Sequence, residues 1–173
     1  MDEVITTAFI TLLLAGAWLD LRTRKIPNDL TVGALMIGLG LRAVIAIKAG
    51  SASAVLSGLG GAGLSFAFLF PLFAIGAMGG GDVKFSIAAG AFLGIERVLL
   101  ALLLSAVAGG ALGLITAVRR GVLLPVLVNC RDLLVHCVTF GRGGARPTLD
   151  GQAAITIPYG VAIALGSLAG WLL

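Results

Sequence analysis

Apolar residues in this chain of 173 come in blocks of about twenty, broken by short polar stretches. Neither the alternation of a half-buried strand nor the single stripe of a surface helix is present. A bilayer core about 30 Å thick takes roughly 20 helical residues, so each block predicts a membrane-crossing helix. The first runs from Val4 to Leu19. The second runs from Leu30 to Ile47 and carries Arg42 near its far end, where the side chain is expected to snorkel. The third covers Ala54 to Met78 and contains Pro71, a predicted kink. The fourth opens at Val83 and meets Glu96-Arg97 after about thirteen residues, too few for a full crossing without a thinned bilayer or a water-filled cleft. The fifth covers Leu99 to Val118 and the sixth Ala153 to Leu173. The predicted fold class is all-α, a polytopic membrane helix bundle of about six transmembrane helices in a single integral-membrane domain over residues 1–173.

Composition narrows the class. The chain is 59% hydrophobic and 12% charged, against about 45–50% and about 25% in soluble domains. An ordinary soluble domain and a disordered chain are both excluded. The 26 glycines fit membrane helices, where small residues let backbones approach closely. The cluster Gly58, Gly60, Gly61, Gly63 and the pairs Gly90/Gly94, Gly109/Gly113 and Gly166/Gly170 therefore predict tight helix contacts. Net charge is 12 − 8 = +4 with no Lys/Arg run beyond two residues, so no nucleic-acid partner is expected. The lipid bilayer is the expected environment. Asp2 and Glu3 open the chain where a signal peptide would carry basic residues.

Basic residues set the orientation. With the N-terminus outside, Arg22, Arg24, Lys25, Lys84, Arg119, Arg120, Arg131, Arg142 and Arg146 fall inside, and only Arg42, Lys48 and Arg97 outside. Both termini are then external and residues 119–152 cytoplasmic. Val122 to Phe140 within that stretch reads as an interfacial amphipathic helix or, alternatively, a re-entrant hairpin. Cys130, His136 and Cys137 lie there without a fourth ligand, so no metal is expected.

Most acids have a plain explanation: Asp2, Glu3 and Glu96 at the outer surface, Asp132 and Asp150 in the cytoplasmic stretch, Asp29 as an N-cap of the second span. Asp20 and Asp82 differ, because each adjoins an apolar span at the same predicted membrane face. Structural ion pairs, Asp20 with Arg24 and Asp82 with Lys84, are the simple reading. Asp20, however, precedes a basic turn ending Ile26-Pro27-Asn28, and Asp82 follows Gly79-Gly80-Gly81 and precedes Val83-Lys84. Three glycines break the helix and let an extended peptide approach. Two carboxylates held together can share a proton, one acting as base toward water and the other as acid toward a carbonyl. The helix dipoles of their own spans place that proton mostly on Asp20, leaving Asp82 as base.

These stretches resemble the type IV prepilin peptidases, GxGD aspartyl proteases of membranes. Asp20-Leu21-Arg22 with Ile26-Pro27-Asn28, Gly79 to Lys84, and Ile157-Pro158-Tyr159-Gly160-Val161-Ala162 carry the likeness, and the small size resembles the short Tad/Flp-type members. The resemblance implies an aspartic-type endopeptidase of a bacterial inner membrane. It would cleave the leader of a prepilin or pseudopilin precursor at the cytoplasmic face, commonly after a glycine. Asp20 and Asp82 would be catalytic; Pro27, Asn28, Gly79, Gly80, Gly81, Lys84, Pro158, Tyr159 and Gly160 would bind substrate or shape the site. No cofactor is implied. With no Cys-x-x-Cys and no N-terminal region ahead of the first span, methyltransferase activity is not expected.

Two rivals remain from the residues alone. A proton-coupled transporter would use Asp20 and Asp82 as a relay, but needs acids near the midplane and repeated halves. A scaffold subunit of a pilus or secretion complex would explain the glycines but not the acids. Ser51, Ser53, Ser57 and Ser65 have no nearby base for a serine mechanism, and Trp18 and Trp171 read as interfacial anchors.

Overall fold

The computed structural model describes residues 2–138 and 158–173. They form α1 (Asp2–Thr23), α2 (Asn28–Ala49), α3 (Ser53–Ala74), α4 (Gly80–Leu93), α5 (Ile95–Arg119), α6 (Leu123–Val138) and α7 (Tyr159–Leu172). The all-α expectation holds: no strand occurs among the described residues. Of the six predicted crossings, α1, α2, α3 and α5 are long and apolar enough to span a membrane. Helices α4 and α7 have 14 residues each, about 21 Å at 1.5 Å per residue, and fall short of a hydrocarbon core. The shortfall of α4 follows from its early Glu96-Arg97. For the sixth block the described helix begins at Tyr159, and residues 153–157 lie outside the described residues.

The chain forms two compact units, Met1–Gly109 with Pro158–Leu173, and Gly110–Ile157. In the first, α4 is the hub, packing on α1, α2, α3 and α7. Its two aromatic side chains occupy holes that glycines leave. The Phe85 ring fills the space where Gly16 lacks a Cβ, and the Phe92 ring does the same at Gly38. Burying each ring contributes about 1.5–3 kcal/mol relative to exposure. On the opposite side Gly61 and Gly90 bring α3 and α4 backbone against backbone, with no room for a Cβ at either. In α7, Gly166 accommodates Ser105 and Gly170 accommodates Ala101, both on α5. Gly58, Gly60, Gly61, Gly90, Gly94, Gly109, Gly166 and Gly170 thus act through specific partners, whereas Gly63, expected in the same set, has nothing within 4 Å of where its Cβ would stand.

Three sequence expectations are corrected. Arg42 does not snorkel outward. Its Nε donates to the Ala91 carbonyl at 2.7 Å, Nη2 to Phe92 at 2.6 Å and Nη1 to Ala54 at 3.2 Å. Helix α4 ends inside the bundle, its last carbonyls lack intrahelical partners, and a guanidinium satisfies them better than lipid can. Second, α3 stops at Ala74 rather than Met78. Gly76, at φ 77°, donates to the Phe73 carbonyl at 2.9 Å and Ala77 donates to Leu72 at 2.8 Å. That pairing closes a helix and requires a residue at ease with positive φ. Third, Asp29 does not cap α2: the N-cap is Pro27, held extended at φ −62°, and Asp29 sits within the first turn, where its charge still suits the helix's positive end.

In the second unit, α6 is one continuous helix over Leu123–Val138, so no hairpin turn falls within it. Leu124, Leu127, Val128 and Val135 are exposed along it. The rest of the predicted cytoplasmic stretch, residues 139–157, lies outside the described residues.

Candidate active site

Asp20 lies in the last turn of α1 and is only 5% exposed. Its Oδ2 accepts a hydrogen bond of 2.8 Å from the Gly160 N–H, across 140 residues of sequence. Pro158 is the N-cap of α7, so Gly160 is that helix's second residue. The amides of a first helical turn have no partner of their own and form its positive pole. Asp20 therefore caps α7. Its dipole surroundings are those of two helices, the C-terminal end of α1 and the N-terminal end of α7. The α1 terminus alone favours a proton on Asp20; the α7 terminus opposes it.

Asp82 is the third residue of α4, whose N-cap Gly79 is extended at φ −72°, ψ 143°. The carboxylate accepts from the Gly79 backbone, the reach-back half of a capping box. The glycines before it have distinct neighbours. A Cβ on Gly80 would meet the Phe73 ring at 3.3 Å, and one on Gly81 would stand 3.6 Å from the backbone N and O of Ile26. Asp82 lies outside the four long spans. Burial first, and then the charge of Asp20, push its carboxyl up to about 6, against the opposing Gly79 hydrogen bond. The two acids therefore sense each other.

Ile26, 8% exposed, joins these loops and was not singled out as a site residue. It lies against Gly81, and its Cδ1 is 3.0 Å from where a Gly160 Cβ would stand. It thus wedges between the α4 and α7 termini that hold the acids. Its signal in sequence is a lone apolar residue after Arg24-Lys25 and before Pro27-Asn28, too weak to read without the fold. Pro27 and Asn28 act beside it: Pro27 turns the chain into α2, and the Asn28 Oδ1 accepts from Lys84 Nζ at 2.9 Å. Lys84 is exposed and tied to α2 through Asn28.

Tyr159 is half-buried, and its ring fills the space left by Gly109. The charge of Asp82 reaches its phenol. Asp20, Asp82, Gly79, Gly81, Tyr159 and Gly160 therefore gather around one end of α4, with Pro27, Asn28 and Lys84 on its α2 side. No group of three or more His, Cys, Asp or Glu residues that could hold a metal occurs among the described residues. The side chains of Cys130, His136 and Cys137 lie outside them. A buried carboxylate and a half-buried one, each seated at a helix N-terminus, are suited to share a proton and activate water.

Compared with known proteins, the chain matches the family model described as type IV leader peptidase family over residues 7–114. The match takes in both acids and stops short of α7. No curated protein and no solved structure matches the chain.

Proposed function

We propose, on the premise that this chain belongs to the type IV leader peptidase family, that it is an aspartic-type endopeptidase with Asp20 and Asp82 as its catalytic pair. Family membership carries a prepilin-type leader peptidase function in general. The finer reading is cleavage of a prepilin or pseudopilin precursor at the cytoplasmic face of a bacterial inner membrane, by one peptidase domain. Its substrate would present a polar leader at that face and an apolar helix to the bilayer. The observation that carries it is the gathering of both acids at one end of α4, Asp20 on the α7 N-terminus and Asp82 on its own.

The mechanism follows from one proton shared by two carboxyls. We place it on Asp82 and leave Asp20 ionised, because Asp20 Oδ2 accepts the Gly160 amide at the positive end of α7 at 2.8 Å. That reverses the assignment drawn from the dipoles of α1 and α4 alone. Asp20 takes a proton from a water held between the acids as the oxygen attacks the scissile carbonyl carbon. Asp82 gives its proton to the carbonyl oxygen. In the tetrahedral intermediate the C–N bond then breaks, the nitrogen takes the proton held by Asp20, and Asp82 recovers its own from the collapsing diol. No metal or nucleophilic serine is needed. Of the three glycines, Gly79 alone is extended and exposed, with backbone room for an extended peptide; Gly80 and Gly81 lie in the first turn of α4, packed against Phe73 and Ile26.

The test is reconstitution of the purified chain in lipid vesicles with a synthetic prepilin carrying leader and apolar helix. Mass spectrometry should find one cut at the leader boundary, persisting in strong chelator. An intact precursor, or cleavage abolished by chelator and restored by zinc, would overturn the reading.

A further inference from the structure

A pocket of about 290 Å³ lies between α3, α4, α5 and α7, entirely within the first unit. It is lined by Leu69, Ser86, Leu102, Ala106, Tyr159 and Ile163, among others. Two of these bind it to the acids. Ser86 follows Asp82 by four residues, hence one turn further on the same face of α4. Helical side chains lean toward the preceding turn, so Ser86 points back toward Asp82. Tyr159 adjoins Gly160, which holds Asp20. Neither acid lines the pocket, which starts one turn beyond Asp82 on α4 and at the neighbour of Gly160 on α7 and continues along both helices, with Ile163 one turn deeper on α7. Its character is apolar, with hydroxyls from Ser86, Ser105 and Tyr159, the usual make-up of a site that recognises shape with a few fixed polar groups.

We propose that this pocket is a specificity subsite that takes one apolar side chain from the first turn of the substrate's membrane helix, on the mature side of the scissile bond. The proposal rests on the peptidase reading above. Direction chooses the occupant. The leader lies at the end of α4 where the acids sit, and the pocket lies deeper along α4 and α7, where only residues following the scissile bond can reach. A volume of about 290 Å³ is sufficient for one large aliphatic or aromatic side chain entering past Ser86 and Tyr159. Leu69 from α3 and Ala106 from α5 line its sides.

The experiment uses the full chain in lipid vesicles and a precursor series in which each of the first four mature residues is in turn Ala, Leu or Phe. At one of these positions kcat/KM should fall about 10- to 100-fold from Leu or Phe to Ala, the factor expected for burying one large apolar side chain. Ala106→Phe, which fills the pocket from an exposed position of α5, should abolish that preference at that position alone. Leu69→Ala, which widens it, should shift preference from Leu toward Phe. Equal cleavage of the whole series by the wild-type chain overturns the proposal. So do ratios unchanged in both variants while all cleavage slows together, the pattern of a lipid chain or a structural void. Failure of the peptidase reading is distinct: no precursor of the series is cut at all.

Discussion

A methyl group added at Gly160 tests how finely Asp20 must be placed. The Cβ of Gly160→Ala would stand 2.9 Å from Asp20 Oδ2, 3.0 Å from Asp20 Cβ and 3.0 Å from Ile26 Cδ1. Carbon contacts settle at about 3.5–4.0 Å, so roughly 0.5–1 Å of movement is required. Ile26 can yield at its far end. Asp20 cannot retreat without stretching its 2.8 Å bond from Gly160 N–H. Stability should change little, because overpacking costs about 1–3 kcal/mol while replacing a helical glycine by alanine returns up to about 1 kcal/mol. Activity should change far more, since a catalytic group misplaced by about 1 Å loses about 100-fold. The assay is kcat/KM for leader cleavage at matched protein levels, with thermal unfolding in detergent alongside. Adding Ile26→Val relieves only the Cδ1 contact and should restore little. Gly40→Ala, where nothing lies within 4 Å, is the control and should keep wild-type cleavage. Wild-type kcat/KM in Gly160→Ala would refute the reasoning, because Asp20 would then not depend on its seat against α7.

Arg42→Met leaves the Ala91 and Phe92 carbonyls unpaired; detergent unfolding should show a loss of about 2–5 kcal/mol. Arg42→Lys should recover only part of it, as one ammonium cannot fork to both, and an unchanged melting point in Arg42→Met would contradict the capping role. The raised Asp82 carboxyl makes a signed claim. Its neutral form is favoured in the fold, so that stabilisation is complete below about 3.8 and lost as pH rises through about 6. Asp82→Asn should therefore be more stable than wild type at pH 8, by about 1–2 kcal/mol after solvent screening, and not at pH 4; equal curves at both would contradict it. For topology, Lys84→Cys and Ser51→Cys, both at exposed positions, are placed in a Cys130→Ser, Cys137→Ser background. An impermeant thiol reagent should reach the first only from the cytoplasmic side and the second only from outside, and the inverse pattern would reverse the orientation.

The parts of the fold that depend on neighbours along the chain are legible in the sequence: the blocks that become helices, the shortness of α4, and a break ahead of Asp82, although it falls at residues 75–79 and Gly80 and Gly81 already belong to α4. Both acids were legible too, because an ionisable residue at the edge of an apolar block is conspicuous. What escaped the sequence were partnerships between distant segments. Asp20 appeared to end α1 and in fact also begins α7, 140 residues on. Arg42 looked like a terminal residue free to snorkel, because nothing in its own helix shows that α4 ends beside it. Ile26 looked like one apolar residue in a turn, and its value comes from Gly81 and Gly160 approaching it from two other helices. Glycine pairs announced close contacts but not which side chains would fill them; that Gly16 receives Phe85 and Gly109 receives Tyr159 follows only from the assembled bundle.

The central claim is that Asp20 and Asp82, and no other acids, carry out the cleavage. Its most direct test is a prepilin cleavage assay with Asp20→Asn, Asp82→Asn and Asp29→Asn at matched membrane levels. The amide keeps size and shape but neither takes a proton from water nor gives one to a carbonyl. Asp20→Asn and Asp82→Asn should each insert, accumulate and leave the precursor uncut, while Asp29→Asn, which alters only the first turn of α2, should keep most of its activity. Full cleavage by either of the first two would contradict the aspartyl mechanism.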